Sequence, residues 1–116
     1  ECKDLAELVA REHSNIHQSM GFGAEAVLRL LVRCDALRRP ERFLLALQAC
    51  ECDARGRLGK ENEAYVQGPR LALLLKAAQS VDSAAISAQA LQDGLKGPAV
   101  GARIDAVRLA AIASTL

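Results

Sequence analysis

The 116-residue sequence has very few aromatic side chains. It contains no tryptophan, and its aromatic residues are Phe22, Phe43 and Tyr65. β-Strands favour aromatic and β-branched residues, whereas the alanine and leucine that dominate the apolar half of this chain favour helices. With so few rings, the chain also lacks a platform on which single-stranded bases could stack. The composition therefore favours an all-α protein. It argues against a protein that recognises single-stranded nucleic acid by stacking bases on aromatic side chains.

Other absences exclude whole classes of protein. No apolar run reaches transmembrane length, and no signal peptide is visible. No serine occupies a nucleophile elbow and no glycine-rich phosphate loop follows a strand, so we predict no catalytic residue in this chain. The cysteines at positions 2, 34, 50 and 52 lack the spacing of a zinc pair. We predict that Cys34 and Cys50 are buried free thiols, which indicates a reducing compartment, the cytoplasm.

Apolar periodicity predicts six helices on short connections and no strand. The predicted helices cover 3–18, 24–35, Pro40 to the residue before Gly56, Pro69 through Ala78, about 84–92, and Pro98 to about Ser114. We expect a long loop over 56–68, a turn over 94–98 and a cap at Ser83. The second helix is apolar nearly all round, which predicts that it is mostly buried. In the last helix we expect the inward side chains to be Val100, Ile104, Val107 and Ala111.

Basic residues are concentrated in the middle of a chain whose formal net charge is only +1. From Arg29 to Lys60, eight basic residues accompany four acidic ones. Two arginine clusters bracket the predicted third helix, and a guanidinium group binds phosphates or carboxylates through a flat fork of donors. The pattern leaves two interpretations open, a polyanionic ligand or pairing with nearby carboxylates. The clusters are Arg38, Arg39 and Arg42 before the apolar run, and Arg55 and Arg57 after it.

His13 and His17 are the two histidines, and they lie four residues apart on one predicted helical face. That spacing brings two imidazoles close enough to share a metal ion, although two ligands do not complete a site. The segment does not contain the His-Glu-x-x-His motif of zinc enzymes. The alternative is a polar helix surface or a core histidine with satisfied hydrogen bonds.

Lys96 lies in a glycine-rich turn, Gly94-Leu-Lys-Gly-Pro98, that precedes the last predicted helix. Free backbone N–H groups at a helix start, together with a lysine, can hold a phosphate. The turn is equally compatible with a sharp connection between two helices.

Several segments of the sequence, in this order, resemble one family. They are Glu7-Leu-Val-Ala-Arg-Glu-His-Ser-Asn-Ile-His, Asp35-Ala-Leu-Arg-Arg-Pro-Glu-Arg-Phe, Glu51-Cys-Asp-Ala-Arg-Gly-Arg, Gly68-Pro-Arg, Ser80-Val and Gly94-Leu-Lys-Gly-Pro-Ala-Val-Gly. Together they resemble the C-terminal part of bacterial CCA-adding enzymes, the tRNA nucleotidyltransferases of the multifunctional form with an HD-type phosphohydrolase domain. The resemblance covers residues 1 to about 112.

The resemblance implies two segments, the C-terminal helices of the HD domain over 1–36 and a helical tRNA-binding body and tail over 37–116. In this family the head domain that uses ATP and CTP, and the His-Asp pair of the HD domain, precede such a region. The divalent metals would be Mg for nucleotidyl transfer and Ni or another ion for the HD domain, with none expected on this chain itself.

The resemblance also implies roles for the residues singled out above. His13 and His17 match later histidines of the HD pattern and are expected near the metal or the phosphohydrolase substrate. Ser14 departs from the family, because some members carry an aspartate there. The resemblance makes tRNA phosphates the expected partner of Arg38, Arg39, Arg42, Arg55, Arg57 and Lys96, since A-form duplexes are read largely by shape and backbone contacts.

The chain begins at Glu1, without an initiator methionine and inside a helical pattern, so we expect it to be part of a longer polypeptide. We expect this part alone to be catalytically silent. The competing hypothesis is a purely structural helical module that mediates dimerisation, with its arginines paired internally and no contact with nucleic acid. A homo-oligomer is compatible with both interpretations.

Overall fold

The computed structural model describes residues 2–56 and 64–116, and within these ranges it contains six α-helices and no strand. The helices are α1 (Cys2–His17), α2 (Ala24–Arg33), α3 (Pro40–Arg55), α4 (Gln67–Gln79), α5 (Ser83–Gln92) and α6 (Pro98–Thr115). A short 3-10 turn, Ser19–Gly21, follows α1. The all-α prediction is confirmed. None of these six helices is both long and apolar enough to cross a membrane.

Two helix starts differ from the sequence prediction. Helix α4 begins at Gln67 rather than at Pro69. Pro69 is tolerated in the first turn, because the N–H that it lacks would have no partner inside the helix there. The cap of α5 is Asp82 rather than Ser83, since the Asp82 carboxylate accepts a hydrogen bond from the N–H of Ala85 at 3.0 Å. The predicted loop over 56–68 lies largely outside the described residues.

Helix α2 ends two residues earlier than predicted because the chain turns at Asp35. This residue has a φ of 55°, in the left-handed region. Its N–H donates to the carbonyl of Val32 at 3.0 Å, and the N–H of Ala36 donates to the carbonyl of Leu31 at 2.9 Å. These two bonds form a Schellman motif, in which an aspartate takes the place usually held by glycine. The motif leads the chain directly into α3.

A single hydrophobic core joins α1, α2, α3, α4 and one residue of α6. Phe43 is its largest fully buried side chain, and α3 packs against both α1 and α4. The buried core residues are Leu8, Ile16, Val27, Leu28, Leu30, Leu31, Cys34, Ala36, Phe43, Ala46, Leu47, Cys50, Tyr65, Leu71, Leu74, Leu75, Ala78 and Ile112. Because this core draws on residues before and after position 36, the two predicted segments pack as one body.

Helices α2 and α6 show where periodicity was misleading. Val107 was expected to face inward, yet 40% of its surface is exposed, and the buried residue of α6 is Ile112. In α2, Val27, Leu28, Leu30 and Leu31 are buried as predicted, whereas Val32 is 59% exposed. Both helices are apolar on several faces, so the apolar pattern alone does not select the face that meets the core.

The cysteines behave as predicted. Cys34 and Cys50 are buried free thiols, whereas Cys52, two residues after Cys50 on α3, is exposed. Burial raises the pKa of Cys34 to about 12 and the pKa of Cys50 to about 11. Both thiols therefore stay protonated at neutral pH and act as small apolar core residues.

Candidate functional site

Arginines from three elements converge on the turn between α2 and α3. The guanidinium of Arg11, on α1, donates to the carbonyl of Arg33 at 2.9 Å. The guanidinium of Arg42, on α3, donates to the carbonyl of Cys34 at 3.0 Å. Carbonyls at a helix C-terminus lack partners within the helix and carry the negative end of its dipole. These two cations therefore help to cap the C-terminus of α2.

A buried carboxylate holds this convergence together. Glu12, with 2% of its surface exposed, accepts three bonds from Arg33, at 3.2, 3.2 and 3.4 Å, one of 3.1 Å from Arg11 and one of 2.9 Å from Asn15. Burial alone would raise the pKa of this carboxyl group, but the bonds from Arg33, Asn15 and Arg11 outweigh it and lower the pKa below its ordinary value. Glu12 is therefore ionised at neutral pH.

Arg38, the most exposed member of the first predicted cluster, completes the same surface. Its side chain is 80% exposed and reaches Asp35, whose carboxylate accepts bonds of 2.8 and 3.1 Å. Arg39 is half-buried in the position that precedes α3. We call Arg11, Arg33, Arg38, Arg39 and Arg42 the arginine patch. Its five positive charges accompany three carboxylates, Glu12, Asp35 and Glu41, so the patch has an excess of two positive charges.

A pocket lies at the opposite end of α3. Its volume is about 540 Å³, and the end of α1, the end of α3 and the residues that lead into α4 form its walls. We call it the histidine pocket. The described residues that line it are His13, Ser14, His17, Gln18, Ala54, Arg55, Ala64, Tyr65, Val66 and Gln67.

His17 is hydrogen-bonded through both ring nitrogens. Its Nδ1 lies 2.9 Å from the hydroxyl of Tyr65, and its Nε2 lies 3.3 Å from a carboxylate oxygen of Asp53. Burial, together with the negative charges of Asp53 and Glu51 nearby, raises the pKa of Tyr65 to about 12. The phenol therefore keeps its proton at neutral pH and can donate it to His17 in a hydrogen bond.

His13 is bonded differently, although it lies one turn away. Its Nδ1 lies 3.1 Å from the carbonyl of Val9 and 3.2 Å from the carbonyl of Ala10, both within α1. The rings of His13 and His17 meet edge to face, with centroids 6.1 Å apart. The predicted pairing of the two imidazoles on one helical face is thus what the structure shows.

The N-terminus of α4 fixes the pocket wall against α1. Gln67 donates to the carbonyl of His17 at 3.0 Å. Arg70 donates to the carbonyls of Ser19 and Phe22 at 2.7 and 3.3 Å. These bonds satisfy carbonyls at and beyond the end of α1 and place Tyr65, just before α4, beside His17.

The described members of the two predicted arginine clusters lie at opposite ends of α3. Arg55 lines the histidine pocket and pairs with Glu51 at 3.3 Å, and it lies about 20 Å along α3 from Arg42. Arg57 lies outside the described residues. Lys96 is exposed in the α5–α6 turn, where Gly94 and Gly97 adopt positive φ values of 86° and 56°. The tRNA-binding role of all these residues stays a prediction.

Sequence reasoning missed several members of these sites. Arg11 and Arg33 join the arginine patch, and Asp53 and Tyr65 bind His17. One signal was available: Leu8, Glu12 and Ile16 recur every four residues, which places a carboxylate on a buried stripe and predicts a buried ion pair. The Tyr65 contact had no such signal, because 48 residues separate it from His17.

The residues in the described ranges do not form a complete metal site. Within 2–56 and 64–116, no group of three or more His, Cys, Asp or Glu side chains could hold an ion. Only His13 and His17 come together as imidazoles, and both nitrogens of His17 already have partners in the chain.

The chain is similar to proteins that carry the name "Multifunctional CCA protein". It is 59% identical to the one from Leptothrix cholodnii over 113 residues, which cover 97% of this chain and 27% of that protein. It is 58% identical to the one from Verminephrobacter eiseniae over 116 residues, 100% of this chain and 28% of that protein. The chain thus spans little more than a quarter of the length of these relatives.

Two further comparisons gave no match. No family model matches the chain. No solved structure matches it either. The identity of 58 to 59% to these relatives, over alignments that cover 97 to 100% of this chain, is sufficient by itself to assign the family. The chain belongs to the multifunctional CCA protein family and corresponds to the C-terminal region of its members.

Proposed function

We propose that this chain is the tRNA-holding C-terminal part of a cytoplasmic CCA-adding tRNA nucleotidyltransferase. The observation that supports the proposal is 59% identity to a multifunctional CCA protein over 97% of the chain. In this proposal residues 1–36 complete an HD-type phosphohydrolase domain, and residues 37–116 form the body and tail that bind tRNA. Residues of both segments share the core around Phe43, so the segment that binds tRNA and the segment that completes the HD domain are packed together.

Within the arginine patch, the members that follow position 36, Arg38, Arg39 and Arg42, are the proposed contacts with the phosphates of tRNA. Arg38 uses its Nε and one terminal nitrogen to bind Asp35, and its second terminal nitrogen remains available to a phosphate oxygen. The excess of positive charge on the patch favours a polyanion over a single carboxylate. Arg55, Arg57 and Lys96 belong to the proposed contact surface as secondary positions.

The chemistry is proposed to reside in other segments of the longer protein. ATP and CTP, the Mg ion of nucleotidyl transfer and most ligands of the HD-domain metal, Ni or another divalent ion, would be held there. A divalent ion would supply charge stabilisation for phosphoester hydrolysis. His13 and His17 are proposed neighbours of that phosphohydrolase centre. The 116-residue chain by itself is proposed to catalyse neither reaction.

One observation favours a second candidate function, a structural module for dimerisation. Arg38 and Arg55 both have carboxylate partners within the chain, at Asp35 and Glu51. If all arginines serve such internal pairs, the surface has no role in RNA binding. Exposed leucines on α3, Leu44 and Leu45, would then be available for self-association.

A charge reversal distinguishes the two candidates. In the intact protein, Arg38→Glu together with Arg39→Glu should weaken tRNA binding and reduce the slope of log affinity against log salt by about one unit for each lost phosphate contact. The matched control is Lys76→Glu, an exposed cation on α4 outside both clusters. Binding is measured by filter retention between low and physiological salt, and self-association by sedimentation. Unchanged affinity and slope with reduced self-association would favour the dimerisation module.

A further inference from the structure

The two histidines of α1 differ in the chemistry of their hydrogen-bond partners. A neutral imidazole carries one N–H donor and one acceptor nitrogen, and its partners decide which nitrogen holds the proton. A carboxylate and a backbone carbonyl can only accept, whereas a protonated phenol can donate. The partners of His13 and His17 therefore identify the tautomer of each ring.

For His17, the carboxylate determines the assignment. Asp53 lies 3.3 Å from Nε2, so Nε2 carries the proton and donates it. Nδ1 then has a lone pair, which accepts the hydroxyl proton of Tyr65 at 2.9 Å. The Tyr65 ring also meets the His17 ring edge to face, with centroids 5.7 Å apart, and this contact restricts rotation of the imidazole. Neither nitrogen of His17 retains a free lone pair.

For His13, the opposite tautomer follows. Its Nδ1 lies within hydrogen-bond distance of two carbonyls, those of Val9 and Ala10, so Nδ1 carries the proton. The lone pair is then on Nε2. No described residue forms a hydrogen bond with that atom, and His13 lines the histidine pocket. Adjacent turns of α1 thus carry imidazoles with opposite tautomers.

We propose that His17 is a positioning residue, whose ring Tyr65 and Asp53 engage at both nitrogens, and that His13 is the imidazole of the pair that serves the phosphohydrolase centre through Nε2. Partners that fix the tautomer and orientation of an active-site histidine are a common feature of metal and hydrolytic centres. The assignment of tautomers depends on this chain alone. The role of His13 in phosphoester hydrolysis rests on the proposed function.

The tautomers are tested directly by NMR of the intact protein with ¹⁵N-labelled histidine. Long-range ¹H–¹⁵N spectra at about pH 8, where unperturbed imidazoles are neutral, distinguish protonated from unprotonated ring nitrogens. The two residues are assigned from the signals that disappear in His13→Gln and His17→Gln. We expect a proton on Nε2 of His17 and on Nδ1 of His13. A proton on Nδ1 of His17 would overturn the proposal, whatever the enzyme activities are.

The roles are tested by conservative variants in a phosphohydrolase assay with 2′,3′-cyclic nucleotides. His17→Gln keeps an N–H near the Nε2 position and Tyr65→Phe removes only a hydroxyl, so each should lower kcat by roughly 10-fold, as loss of a positioning contact does. His13→Gln should lower it by roughly 100-fold or more. CCA addition by the same preparations reports whether each variant is folded.

Equal losses in His17→Gln and His13→Gln would contradict the positioning role, because a residue that binds metal or substrate is not rescued by glutamine. Tyr65→Phe should also move the Nδ1 resonance of His17, since that atom loses its donor. If the intact protein hydrolyses no phosphoester, the proposed function fails in that part, and the NMR result still decides the tautomers.

Discussion

The two ends of α3 lie beside sites with different side-chain chemistry. At its N-terminal end, the arginine patch gathers charge around the carbonyls of α2, and Glu12 is buried beneath it. At its C-terminal end, the histidine pocket is lined by two imidazoles, a phenol and two glutamines, with Arg55 paired to Glu51. The first end suits an extended polyanion, because its net charge is positive and its guanidinium groups reach the surface. The second suits a small ligand, because it is concave and its polar groups are already oriented.

The comparison also shows how each end is kept in place. The arginine patch depends on one ionised carboxylate, Glu12, that five hydrogen bonds hold. The histidine pocket depends on a chain of weaker contacts from Asp53 through His17 to Tyr65. A hydrogen bond to an ionised group is roughly twice as strong as a neutral one, and in the pocket chain only the bond to Asp53 is of this kind. The patch end, where every bond to Glu12 is charge-assisted, should therefore be the more stable of the two.

Both ends of α3 nonetheless pack against the same buried core, and the rates at which the cysteine thiols react should show this. Cys52 should react with iodoacetamide at least about a thousandfold faster than Cys34 at one end of α3 or Cys50 at the other, because reaction of a buried thiol waits for rare unfolding. Peptide mass spectrometry after timed labelling measures the rates, with labelling in denaturant as the control. Fast labelling of Cys50 would show that the pocket end is not a packed core.

Removal of the buried charge should damage the patch end selectively. Glu12→Gln should lower the free energy of unfolding by about 2 kcal/mol, because it removes an ionised acceptor from Arg33 and Arg11, whose half-exposed guanidinium groups recover part of the loss from water. Urea denaturation measures the change. Glu7→Gln, an exposed position on the same helix, should stay within about 0.5 kcal/mol of the parent. A loss below that margin for Glu12→Gln would show that the patch does not depend on this carboxylate.

The two ends should lose stability at opposite extremes of pH. The pKa of Glu12 is lowered, so its contribution is present above the ordinary carboxyl pKa and is lost as pH falls through the lowered value. The pKa of Tyr65 is raised from 10 to about 12, so its contribution is complete below pH 10 and is lost as pH rises towards 12. Urea midpoints across pH should therefore flatten on the acid side in Glu12→Gln and on the alkaline side in Tyr65→Phe. Parallel curves for parent and variants would contradict both assignments.

Much of the fold was predictable because the residues that begin and end a helix, and its apolar periodicity, lie within a short stretch of sequence. Pro40 and Gly56 mark α3, and the stripe from Phe43 to Cys50 is buried as predicted. The cap at Asp82 was not predicted, since the neighbouring Ser83 is also a favourable cap. The exposure of Val107 was not predicted either, since α6 carries apolar residues on several faces. In such cases the choice depends on which face of the helix meets the rest of the protein.

The sequence by itself determined the all-α class, the spacing of His13 and His17 and the family of the chain. These features follow from local periodicity and from ordered motifs. Only the tertiary structure decided that Asp53 and Tyr65 bind His17, and that Arg11 and Arg33 enlarge the arginine patch. The reason is physical: these contacts join residues 22 to 48 positions apart, and burial in a common core brings them within hydrogen-bond distance.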